Sequence, residues 1–233
     1  MKAVILAAGY SGRKFLLMRD RPKGLILIKD KPIVGHIIDR IRELRGVDRI
    51  YLVTNEKYKK LYQAWFNDPK VEIISDLTKD KKEQLGAVGS LNFLIKNKNL
   101  NDNLLVVGSD NLFNFSLHSL VNEKNKIKIG VYDIKDIDEA VNYGVVEIEG
   151  DKIKKLEEKP EKAESTLIST ACYYLPKESI KFVDSFIQEK DGNDLGHLIN
   201  YFKDKNEVYI HKFEGKWFDV GTDSNLREAR KEY

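Results

Sequence analysis

The sequence predicts an α/β domain: a mixed, mostly parallel central sheet with helices on both faces and a small β-rich lobe. Three observations carry this. Short apolar runs alternate with segments whose apolar residues recur at helical spacing. The first apolar run ends in a turn of small residues, and after Asp138 the rhythm changes to closely spaced strands.

In chain order, strands are predicted at 3–6, 50–54, 71–74, 104–107 and 128–132. Between them, 33–44, 56–66 and 84–95 read as amphipathic helices, with Ile33, Ile37, Ile38 and Ile41 forming the clearest apolar stripe. In such sheets ligands bind beyond the carboxyl ends of the strands, where Gly9 and Asp110 fall. The second half reads as strands at 143–148, 153–157 and 169–175, with Glu149-Gly150-Asp151 as the turn between the first two. Helices follow at 178–189 and 195–202, a strand at 208–212 and a closing helix at 224–232, capped by Thr222 or Asp223. The expected organisation is one domain over 1–233, in two halves, 1–138 and 139–233. No internal repeat, and so no hexapeptide-repeat domain, is expected.

Apolar residues at 42% and charged residues at 33% describe a globular chain rather than a disordered one. Forty basic against 37 acidic residues leave a net charge of +3, with no basic stripe to suggest nucleic acid as a partner. The single cysteine, Cys172, excludes an internal disulfide framework and a cysteine zinc site, and its apolar setting reads as a buried strand thiol. His36, His118, His197 and His211 show no metal spacing. The apolar start at 3–8 is shorter than the roughly 7–15 residues of a signal-peptide core, and no stretch approaches the ~20 of a membrane span. The expected location is cytoplasmic, with no membrane partner.

Leu6, Ala7, Ala8 and Gly9 remove side-chain bulk at the end of the first strand, so backbone N–H groups can approach an anion. Gly12, Arg13 and then Pro22-Lys23 follow, and Arg13 and Lys23 supply the positive charge a triphosphate needs. This ordered set resembles the N-terminal signature of the sugar-phosphate nucleotidyltransferases. Two positions depart from that pattern: Ser11 stands at the usual second glycine, with Gly12 one place late, and Leu16 replaces a proline.

Further motifs match the same family in its order, from Leu6 to Thr222. Val106-Val107-Gly108-Ser109-Asp110-Asn111 resembles the segment whose aspartate binds catalytic Mg²⁺; taken alone, Asp110 reads equally well as the N-cap of a following helix. Trp217-Phe218-Asp219-Val220-Gly221-Thr222 resembles a segment of glucose-1-phosphate thymidylyltransferases and supplies the second metal carboxylate, Asp219. Glu83-Gln84-Leu85-Gly86 resembles the uracil-reading run of N-acetylglucosamine-1-phosphate uridyltransferases. Aligned on thymidylyltransferases instead, Gln84 pairs with Gly89, which leaves room for the base plane. The plainer reading of Gln84 is a surface residue opening a helix. Tyr143-Gly144-Val145-Val146-Glu147 and Glu157-Glu158-Lys159-Pro160 match the sugar side. The resemblance implies that Gly144 passes close to the sugar, Glu158 accepts from its hydroxyls and Lys159 holds its phosphate. Without it, the second run reads as an exposed charged turn. Thr170 is placed with this sugar-phosphate group, and Ala171 departs from the usual glycine after it, narrowing the pocket.

The resemblance thus implies a Rossmann-like nucleotide-diphospho-sugar transferase fold and an enzyme converting NTP plus sugar 1-phosphate to NDP-sugar and pyrophosphate, with Mg²⁺ as cofactor. It also implies that 1–138 is the mainly nucleotide-binding half and 139–233 the mainly sugar-phosphate half, with Arg13, Lys23 and Lys159 as the catalytic candidates. Two alternatives stay open: a cytidylyltransferase for phosphocholine or a similar alcohol phosphate, and a non-catalytic nucleotide-sugar sensor.

Overall fold

In the computed structural model, which describes residues 1–10, 21–189 and 194–233, a nine-stranded sheet is assembled around Lys2–Leu6 (β1). The chain continues through Leu27–Ile28 (β2), Lys31–Pro32 (β3), Ile33–Arg42 (α1), Arg49–Thr54 (β4), Glu56–Trp65 (α2) and Val71–Ser75 (β5). Gly86–Lys98 (α3), Leu104–Gly108 (β6), Asn111–Phe113 (β7), His118–Val121 (α4), Ile127–Asp133 (β8) and Ile137–Ala140 (α5) complete the first half. Gly144–Glu149 (β9), Lys152–Glu158 (β10), Leu167–Leu175 (β11), Lys181–Glu189 (α6), Leu195–Lys205 (α7), Val208–Lys212 (β12), Trp217–Asp219 (β13) and Asp223–Glu232 (α8) follow.

The sheet order is β5-β4-β1-β6-β11-β8-β12-β10-β9. β5, β4, β1 and β6 are mutually parallel, as expected of strands joined through helices. β11 enters antiparallel between β6 and β8, and β12 returns parallel to β8. β9 to β12 of the second half therefore continue the same sheet, and the β-rich lobe is its far end.

Both faces of the sheet are covered. Ala3, Ile5 and Ala7 point to a core shared with Ile33, Ile37 and Ile41 of α1 and with Tyr58 and Tyr62 of α2. Val4 and Leu6 point to the opposite core, with Val88 and Leu91 of α3, Phe186 of α6 and Phe202 of α7. This period-two alternation along β1 fixes its register, since a slip of one residue would exchange the two faces. Cys172 pairs with Val107 across β11 and β6, fully buried as a core thiol, and burial pushes it up to about 12.

Asn55 caps α2 by accepting from the Tyr58 N–H at 3.0 Å, while its amide donates 3.0 Å to the Ala8 carbonyl. One buried side chain thus ties the end of β1 to a helix start. Thr222 caps α8, as the sequence suggests.

Candidate active site

No helix follows Asp110. The chain turns instead into β7, and β7 pairs antiparallel with β13 in register Asp219 to Asn111. The Val220 N–H donates 2.8 Å to the Asp110 carbonyl, so the pairing sets the two aspartates side by side. Asn111 locks the arrangement: it accepts from Trp217 Nε1 at 2.8 Å and donates to the Gly108 carbonyl at 3.2 Å. Gly221 leaves room for the second carboxylate, since a Cβ on it would stand 2.9 Å from Asp219 Oδ2 and push that group aside.

Two cavities meet at these carboxylates. The first, roughly 390 Å³, is lined by Leu6, Ala7, Ala8, Gly9, Lys23, Gln84 and Asp110, together with Tyr10, Tyr62, Gly86 and Ser90. The second, roughly 290 Å³, is lined by Gly144, Glu158, Lys159, Thr170 and Asp219, with Ser169 and Tyr173. They share Ala87, Asp110, Ala171, Asp194 and Leu195. Of the residues read from the sequence, Leu6, Ala7, Ala8, Gly9, Lys23 and Gln84 line the first chamber, and Gly144, Glu158, Lys159 and Thr170 line the second, which adjoins it.

Lys23 Nζ lies 3.4 Å from Asp110 Oδ2 in the first chamber. Asp219 is pushed up to about 7, first by burial and then by the charge of Asp110, with Lys23 and Lys159 opposing the rise. Two crowded carboxylates, one of them desolvated, are oxygen donors of the kind that a hard cation takes.

Glu158 is held between two glycines. A Cβ on Gly144 would sit 3.2 Å from Glu158 Oε1, and one on Gly196 would stand 2.3 Å from the same atom and 2.6 Å from Leu156 Cδ2. Burial and the neighbouring Asp194 raise its pKa, while His197, Lys159 and the Gly196 N–H hold it down. Gly196→Ala is expected to cost about 1–3 kcal/mol of stability, the usual penalty of overpacking, and to swing Glu158 out of the cavity. A shift of the urea midpoint at constant slope measures the first effect; an unchanged midpoint contradicts the packing.

Lys159 and Ala171 both have left-handed backbones, at φ +47 and +50. The Lys159 N–H donates 2.9 Å to the Tyr143 carbonyl, which fixes the turn that aims its side chain. Ala171 sits in the irregular register of β11 between Ser169 and Tyr173. Its conformation is one that glycine adopts at lower cost, and its methyl group borders both chambers.

Two expected site residues play other parts. Thr170 borders the second chamber, but its hydroxyl donates 2.9 Å to the Gly130 carbonyl and is spent on β8. Beside it the hydroxyls of Ser169 and Tyr173 bond to each other at 2.7 Å, and both residues line the same chamber. Gly89 lies within α3, where a Cβ would meet Leu85 Cβ at 2.7 Å, and it does not line the first chamber; Gly86 and Ala87 do. Gly12 and Arg13 lie outside the described residues. Asp194, which opens α7 and borders both chambers, carried no motif; its only sequence signal was an acidic residue just before a helix pattern.

A family model described as nucleotidyl transferase matches residues 2–233. The chain belongs to the nucleotidyl transferase family. The chain is 30% identical over 233 residues to the bifunctional protein GlmU of Methanocaldococcus jannaschii, covering 99% of the chain and 54% of that relative. It is 29% identical over 177 residues to the UTP–glucose-1-phosphate uridylyltransferase AglF of Haloferax volcanii, covering 74% of the chain and 71% of AglF. The chain spans about half the length of the bifunctional relatives it matches. Its fold is that of a UDP-glucose pyrophosphorylase from Acinetobacter baumanii, at a TM-score of 0.80 and 20% identity over 100% of this chain and 92% of that one. A second UDP-glucose pyrophosphorylase structure, complexed with UDP-glucose, gives 0.81 and 20% identity over 100% and 97%. Among the described residues no helix is long and apolar enough to cross a membrane.

Proposed function

We propose that this nucleotidyl transferase joins the nucleotidyl group of an NTP to a sugar 1-phosphate and releases pyrophosphate. The observation that carries the reading is the meeting of the two chambers at Asp110 and Asp219, with one ammonium on each side. Lys23 serves the nucleotide phosphates and Lys159 the sugar phosphate, while Arg13 offsets charge on the departing pyrophosphate. The attacking phosphate oxygen is already anionic at neutral pH, so the site needs no general base. Its work is alignment and charge neutralisation. Glu158 accepts from sugar hydroxyls.

The pair Asp110 and Asp219 fits Mg²⁺. Among the described residues no further His, Cys, Asp or Glu completes a closed metal cage. A hard cation held by one or two carboxylates keeps its remaining positions for water and substrate phosphate. When bound there it supplies charge stabilisation at the α-phosphate.

Pyrophosphate release measured over a matrix of NTPs and common sugar 1-phosphates tests the proposal. Phosphocholine belongs in that matrix, because Tyr143, Tyr173 and Trp217 also line the second chamber and aromatic walls suit quaternary ammonium groups. Preference for phosphocholine over every sugar phosphate overturns the sugar reading. The preferred nucleotide is expected to be dTTP or UTP rather than ATP or GTP. Gln84 borders the nucleotide chamber and can pair with the N3–H and O4 of such a base. Gln84→Ala is expected to flatten NTP selectivity by roughly tenfold to a hundredfold, the worth of one unpaired polar group. An unchanged preference shows that the base is read elsewhere.

A further inference from the structure

Tyr62 is a residue the reaction as described does not use. It belongs to α2, it is fully buried, and its ring packs in the core beneath β1. Among the described residues its hydroxyl has no hydrogen-bond partner. Only two other buried side-chain atoms among the described residues share that condition, Asn92 Oδ1 and Asp223 Oδ1, and neither residue lines the two chambers. Tyr62 lines the nucleotide chamber beside Lys23, Ser109 and Asp110.

The position of the hydroxyl is specific. A Cβ on Gly24 would stand 2.7 Å from Tyr62 Oη, so the hydroxyl lies directly under the turn that carries Lys23. Burial suppresses its ionisation, and the charge of Asp110 adds to that. Tyr62 thus stays a neutral O–H donor at any working pH. Phenylalanine would fill the same core volume without burying an unpaired oxygen, which is costly to leave unsatisfied.

We propose that the Tyr62 hydroxyl is a positioning donor for the triphosphate: it hydrogen-bonds a phosphate oxygen brought in by the nucleotide at the Lys23 turn. The inference rests on the nucleotidyl-transfer reading and deepens it. An O–H donor beside an ammonium suits an anionic oxygen, and the bond is made only in the loaded enzyme. The free protein therefore carries the unpaired hydroxyl and the nucleotide complex relieves it.

The test is Tyr62→Phe against wild type, with Mg²⁺ and the NTP preferred in the acceptor screen but without sugar phosphate. Three outcomes are expected. The melting temperature of the unliganded variant is equal to wild type or higher. The Kd for NTP measured by calorimetry rises about tenfold or more, as for a hydrogen bond to a charged group. The Kd for the matching nucleoside, followed by NMR titration, does not move. Equal NTP affinity in the two proteins overturns the inference. So does an equal loss for nucleoside and NTP, which marks a packing effect, and so does a lowered melting temperature, which shows that the hydroxyl is already bonded in the free protein. If wild type binds no NTP at all, the nucleotidyl-transfer reading fails and this inference with it. Wild-type binding with an indifferent variant removes the inference alone.

Discussion

Asp110→Asn and Asp219→Asn each lower turnover by about a hundredfold or more, the scale of losing one preorganised charge contact in a transition state. Asp110 lies in the turn between β6 and β7 and Asp219 ends β13, more than a hundred residues further along the chain, and the β7–β13 pairing is what sets them together. Asparagine has the size of aspartate, so the pairing and the bond from the Val220 N–H to the Asp110 carbonyl survive either change. The loss then reports charge rather than shape. Asp219 sharpens the argument, because burial and Asp110 both disfavour its ionised form. Removing that charge relieves repulsion in the metal-free protein, and Asp219→Asn is expected to leave its melting temperature unchanged or raised. Steady-state rates at saturating NTP and sugar phosphate, together with a chelator titration of wild type, decide the matter. Full activity in excess chelator, or either variant within tenfold of wild type, removes the metal assignment.

The sequence made the framework legible where a period ran long enough to see. The stripe of Ile33, Ile37, Ile38 and Ile41 became the buried face of α1, and the five strands read from the first half all formed. The chambers were legible as motifs, because glycine turns and carboxylates at strand ends have few other uses in that order. What escaped was set by distant partners. β7 and β13 are three residues each, too short to show alternation, and each exists through the other. Thr170 reads from the sequence as one of the sugar-phosphate group, and nothing local tells that β8 brings the Gly130 carbonyl against its hydroxyl. Gly89 read as room for a base, but the space it leaves is filled by Leu85 on the same helix start. Tyr62 looked like any apolar position on α2, since nothing local tells where a phenol oxygen will end.

Exchanging one lysine at a time separates the two chambers. Lys23→Ala is expected to raise the KM for NTP by at least about tenfold and to lower kcat, leaving the sugar-phosphate KM nearly unchanged. Lys159→Ala is expected to do the reverse, raising the sugar-phosphate KM by at least about tenfold with NTP binding almost intact. The magnitude follows from charge-assisted contacts, worth about 1.5–3 kcal/mol each. Position makes the two effects distinct: Lys23 lies 3.4 Å from Asp110 in the nucleotide chamber, while Lys159 lines only the sugar chamber. The left-handed backbone at Lys159 and its bond to the Tyr143 carbonyl persist in the alanine variant, so the loss is one of charge. The two lysines are not wholly independent, because both oppose the upward shift of Asp219 and either deletion leaves that carboxylate harder to ionise. Some loss of kcat is therefore expected in both variants, with the KM effects remaining on opposite substrates. Calorimetry of NTP binding to Lys159→Ala is the deciding measurement. If it finds binding abolished, the sugar and nucleotide chambers have been assigned the wrong way round.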